Sequence, residues 1–265
     1  MQIPAISRLA RFVCLSTALA MPAAWASNYS DFASANDRFS VLMLHAKPET
    51  GLPQMSDPAV KDMFATVVDG NRLFAKPDAP LNKMATSLAI CQQVTGYAQY
   101  YQNFGMNQFG ALSGTELQQA RRKQFDENLA KYGNEMSALF AFVVHCNTHL
   151  IGLMDAQRQA EPAEAATLEG KQRLHDFSVN TARAYAGLVQ FVAMPFWTVP
   201  QKKVMIEASA QHAAVNAALM KPQQRQALLA SLAGVDGELD PSLAVPLATV
   251  REALAGTACT GLCEY

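Results

Sequence analysis

The chain has 265 residues, with 21 basic and 22 acidic side chains and a net charge of −1 when histidine is neutral. That balance excludes the electrostatic footprint of a nucleic-acid-binding protein and of one held to an anionic membrane surface. Charged residues are 16% of the sequence, against about 25% in typical domains, and apolar residues are 50%. Such a surface is compatible with burial against a partner, and an alanine-rich helical protein also presents one.

Residues 1–26 have the three-part layout of a cleavable secretory signal peptide. Arg8 and Arg11 supply the positive region, Phe12 to Met21 the apolar run, and Ala24-Trp25-Ala26 the small-x-small cleavage site. The run is far shorter than the ~20 residues that span a bilayer. Cleavage after Ala26 leaves 239 residues starting at Ser27, without stable membrane insertion and with 19 basic against 22 acidic groups. The short apolar core points to the bacterial periplasm.

Residues 27–265 show helical periodicity throughout and no alternating strand. The first helix covers roughly Ser30 to Ala46, with Phe32, Phe39, Leu42 and Met43 on one face, and ends before Pro48. Asp57-Pro58 opens a second helix, which stops at Asp69-Gly70-Asn71. A third runs from near Pro80 to Phe104. Ser113 and Glu116 form a capping box for a long helical stretch to about Arg158. Glu161-Pro162 marks a boundary and a candidate seam. Helices then cover Ala163 to Pro195, Thr198 to Met220, Pro222 to Gly234 and Leu243 to Leu254, with a turn over Asp236 to Pro241. The fold class is all-α: a single bundle of about seven to nine helices. Met136–Met154 and Ala184–Val199 are apolar nearly all round, as central core helices are.

Removal of Cys14 with the signal leaves Cys91, Cys146, Cys259 and Cys263. In an oxidising compartment an even number favours disulfides, and the pairing 91–146 with 259–263 is favoured. A straight antiparallel hairpin turning near Gly110 places Cys91 and Cys146 out of level by 17 residues, roughly 25 Å. A helix break at Gly133 would restore the level. An apolar stripe of Phe125, Leu129, Tyr132, Met136, Leu139 and Val143 runs through Gly133 and argues against that break, so both paths stay open.

Three constellations are candidates for function. His145 and His149, at i and i+4, share a helical face and suit Zn or Cu; the competing role is two hydrogen-bonded core histidines. Any third ligand would come from His45, His175, His212, Cys146 or a carboxylate. Tyr97, Tyr100, Tyr101 and Phe104 form an aromatic cluster suited to contact with a protein or ligand, or to packing at a helix end. Phe196 and Trp197, after Pro195, could line a pocket or plug the core. No G-x-S-x-G, phosphate-binding glycine loop or haem-attachment motif is present. The expected function is therefore a non-enzymatic periplasmic protein that binds another protein, as a toxin-neutralising immunity factor or in an envelope assembly. The alternatives are a bundle binding metal or a small ligand through His145 and His149, and an envelope enzyme whose site carries no known motif.

Overall fold

The computed structural model describes residues 28–235 and 240–265. The signal peptide, its cleavage site and most of the turn before Pro241 lie outside the described residues. Within them the chain is helical, with no β-strand and one isolated bridge between Lys47 and Gly51. The helices are α1 (Asn28–His45), α2 (Pro58–Val68), α3 (Gly70–Ala75), α4 (Met84–Asn103), α5 (Gly114–Ala160), α6 (Pro162–Ala165), α7 (Leu168–Gln190), α8 (Val199–Gln211), α9 (Ala213–Ala218), α10 (Pro222–Leu232) and α11 (Pro241–Gly256). With α6 only four residues long, there are about ten helices, slightly more than expected from periodicity.

The extra helices arise at breaks that periodicity does not show. Asp69, which ends α2, also caps α3: its Oδ1 accepts from the Arg72 N–H at 2.9 Å. Thr167 interrupts the expected 163–195 helix and caps α7, its hydroxyl accepting from the Gly170 N–H at 3.0 Å. His212 separates α8 from α9. At the first two breaks a polar side chain supplies a hydrogen bond lost at a helix end; His212 makes no such cap. The caps at Asp57-Pro58 and at Thr198 stand where expected; Asp57 accepts from Ala59 N–H, and Thr198 N–H donates to Gln201. Ser113 does precede α5, but its hydroxyl caps nothing, so the expected box with Glu116 is absent. The chain enters that helix through Gly114 at φ +57°, a left-handed geometry unlike an ordinary cap.

Cys91 and Cys146 are joined, with Cα atoms 5.7 Å apart, and α5 runs unbroken through Gly133. An unbroken hairpin is therefore compatible with the bond, because its levels are not set by a turn at Gly110. Helix α4 ends at Asn103, and residues 104–113 continue alongside the start of α5 before reversing. Gln108 Nε2 donates to Gln124 Oε1 at 3.0 Å, and Asn128 Nδ2 donates to the carbonyls of Gln102 and Phe104. Irregular and 3₁₀ chain rises about 2 Å or more per residue. Ten such residues match the first fourteen of α5, which rise about 21 Å. From the Tyr101–Tyr132 ring contact the two cysteines are 10 and 14 residues away, a difference of about one helical turn. Gly133 is needed for close packing instead: a Cβ there would stand 2.5 Å from Gln201 Nε2, which is bonded to Asn134.

Helix α5 belongs to all three apolar clusters. Leu129, Tyr132, Met136, Leu139 and Phe142 pack with α1 to α4. Ala141 and Val144 pack with α7 to α11. Ile151 and Met154 join Ala165, Leu174, Leu219 and Leu262 beyond the Glu161-Pro162 break. By length and composition α5 could cross a membrane. Here no residue from 135 to 151 is exposed, because neighbouring helices surround that stretch. Cys259 and Cys263 are also paired, tying the tail around the 3₁₀ turn Gly261–Glu264.

The two disulfides should differ in weight. The loop of 55 residues closed by Cys91–Cys146 implies about 4 kcal/mol from chain entropy, against about 2 for the four-residue Cys259–Cys263 loop. Urea denaturation of the two paired Cys→Ala variants should show that order.

Candidate functional site

His145 and His149 both line a small cavity of about 180 Å³ between α3, α5 and the α8–α9 break. Gly70, Phe74, Thr148 and Gln211 complete its walls. His212, from the break itself, joins them: its Nε2 lies 2.7 Å from Nδ1 of His145, with the rings at 87°. One of the two nitrogens must carry the hydrogen and the other the lone pair. His149 Nε2 lies 3.0 Å from the Leu81 carbonyl, to which it donates, and its ring stacks on Phe74 at 4.6 Å. The two histidines of the i, i+4 pair are thus committed to different partners. Gly70 lets α3 sit against this group, since a Cβ there would be 2.6 Å from the Cβ of His145.

Electrostatics favour neutral rings. Burial, then the neighbouring His212, push His145 down from 6.5 to about 4, with Asp69 opposing. Burial also lowers His212, and lowers His149 against the opposing bond to Leu81. Asn216, fully buried, donates to Thr148 Oγ1 and to the His212 carbonyl, tying the break to α5. Among the described residues no three of His, Cys, Asp or Glu are gathered to hold a metal ion.

The tyrosine cluster divides into inside and outside. Tyr97 and Tyr101 are buried. Tyr97 donates to Asn36 of α1 and accepts from Gln93, while Tyr101 donates to the Pro53 carbonyl. Both fasten the N-terminal segment onto α4, and Phe104 closes over Tyr132. Tyr100 alone faces out, 44% exposed. With Ser40, Met43, Leu44, Gln93, Gly96 and Tyr97 it lines a groove of about 560 Å³ between α1 and α4. Leu44 is 82% exposed on its rim. At the other predicted cluster, Trp197 is buried against Phe140 and Phe191, and Phe196 packs on Phe125 under the Arg122 guanidinium.

The face of α4 is the feature that motif reading passes over. Residues 84–115 contain no charged residue, and this run holds all of α4. Core packing explains an uncharged inner face but not an uncharged outer one, on which Leu88, Gln92, Gln93, Gly96, Gln99 and Tyr100 are exposed. The length of the charge-free run was the available signal. No family model, curated protein or solved structure matches the chain.

The histidine group sets a pH dependence. A base whose pKa is lowered by folding binds fewer protons folded than unfolded, so stability is full above pH 6.5 and falls as pH drops toward about 4. The displacement corresponds to roughly 3 kcal/mol, reduced by partial solvent access to about 2. Urea titrations between pH 4 and 7 should show this loss, and His145→Gln should flatten it.

Proposed function

We propose that the chain is an exported, non-enzymatic binding protein of the bacterial periplasm that holds another protein in the α1–α4 groove. The observation that carries this reading is the uncharged outer face of α4, with Tyr100 and Leu44 standing exposed beside an apolar groove. Exposed aromatic and aliphatic side chains next to a concavity are what interface anchors look like, and absence of charge lowers the desolvation cost at the centre of an interface. Scattered exposed apolar residues are ordinary on any protein; here Leu44 of α1 and Tyr100 of the uncharged α4 line one cavity whose lining holds no charged residue. The partner's matching surface is apolar and uncharged, because a charge buried in this groove would meet no counter-ion among the residues that line it.

The test begins with fractionation of cells producing the full chain, where a periplasmic product starting at Ser27 is expected. A stoichiometric partner should co-purify from that fraction at native abundance. Tyr100→Glu and Leu44→Glu should each reduce recovery at least tenfold, a loss of about 1.4 kcal/mol or more. Leu168→Glu, also at a highly exposed leucine but on α7, should retain it. Retention of the partner by the groove variants, or absence of any stoichiometric partner, would overturn the reading.

A further inference from the structure

On the other side of Gly96 lies a second groove, of about 540 Å³, between α4, α5 and α7. Its walls follow from helical spacing. Leu88, Gln92, Thr95, Gly96 and Gln99 form one stripe of α4, and Phe177, Asn180, Thr181 and Ala184 form one of α7. Asn147 and Leu150 of α5 lie between them, beside Cys91 of the long disulfide. The volume falls within the roughly 300–1,000 Å³ typical of small-ligand sites.

The chemistry of the lining is specific. No charged side chain is among these residues. The side-chain amides of Gln92, Gln99, Asn147 and Asn180 make no hydrogen bond to the described residues. Nδ2 of Asn147 is shut off from solvent and has no acceptor. Buried polar atoms without partners are rare in folded proteins; the Asn147 Nδ2 is one, and the exposed amides of Gln92, Gln99 and Asn180 stand around it, open to a ligand. Each amide offers a donor and an acceptor.

We propose that this trough binds an uncharged oligosaccharide. A sugar hydroxyl both donates and accepts, as the amides do, so Gln92, Gln99 and Asn180 on the rim and Asn147 on the floor can each pair with it. The apolar C–H face of a pyranose finds Phe177, Leu88 and Leu150. Phosphorylated and acidic ligands lack a basic partner here. The floor is largely apolar, but Gln92 and Gln99 on one rim and Asn180 on the other would face the apolar stripe of a bound helix without partners, and an added strand needs free backbone groups, whereas these walls are helical. The site is separate from the α1–α4 groove and does not rest on the protein-binding reading.

The test is titration of the mature, oxidised protein with chitotetraose and maltotetraose, followed by calorimetry and amide NMR, with trigalacturonate and tetraglycine as comparisons. Saturable binding of at least one neutral oligosaccharide is expected, with shifts centred on α4 and α7. It should weaken roughly tenfold in Asn147→Leu and in the pair Gln92→Ala with Gln99→Ala, and persist in Leu168→Ala. Should Asn147→Leu fail to fold, the exposed glutamine pair decides. Three results would overturn the proposal: no saturable binding of either neutral sugar, equal binding of trigalacturonate or tetraglycine, or unchanged affinity in the glutamine pair.

Discussion

The antiparallel pairing of α4 with α5 is the constraint on which the rest of the structure depends. Asn128 fixes one end of it by bonding the last carbonyls of α4, Tyr101 and Tyr132 pack in the middle, and Cys91–Cys146 closes the other end. With that register set, one face of α5 completes the core under α1 to α4 and another completes the core under α7 to α11. A slip of one residue would rotate α5 by about 100° and misplace both faces together. This explains why a helix of 47 residues continues unbroken through a glycine. Gly133 is held in helical geometry by packing against Gln201, and not released as a hinge.

The same helix organises the histidines. His145 meets His212 at the point where α8 stops at Gln211 and the chain restarts as α9 at Ala213. Across the break the His212 carbonyl accepts from both the backbone N–H and the side-chain amide of Asn216. The resulting group is polar, buried and neutral, the state in which imidazoles can satisfy one another without charge. Such networks favour one arrangement of the surrounding helices, although here the buried Oδ1 of Asn216 has no partner among the described residues. Whatever else this cavity does, it fixes α3 and the α8–α9 corner onto α5.

Around this interior, α4 is unusual in being uncharged on both faces. Its inner side carries the tyrosines that anchor α1 and the segment near Pro53. Its outer side separates two grooves of different character. The one toward α1 is walled by Met43, Leu44 and Tyr100 and suits apolar contact; the one toward α7 is lined by amides and suits hydroxyls. Gly96 lines both, and its missing side chain leaves the ridge between them low.

Much of the fold was legible because local chemistry acts locally. Proline and aspartate at Asp57-Pro58, proline at Glu161-Pro162 and the apolar period of Met136–Met154 define helix ends and a core helix whatever surrounds them. The even count of cysteines beyond residue 26 favoured two disulfides, and both pairs form. Distance in space is another matter. The length of α4–α5 overlap depends on how far ten irregular residues climb, and no residue pattern encodes that rise, so a hairpin drawn with its turn at Gly110 lands about 25 Å out of level. Spacing put His145 and His149 on one face, but only packing decided that they serve different partners and that His212 is the third member. The tyrosine stripe was visible as a stripe, yet which rings faced inward depended on where α1 lay. By itself the sequence determined the class, the helix boundaries set by caps and prolines, and the supply of cysteines. The tertiary structure decided register, the neutral histidine group and the grooves flanking α4, because these arise from residues far apart in the chain that meet only when the helices pack.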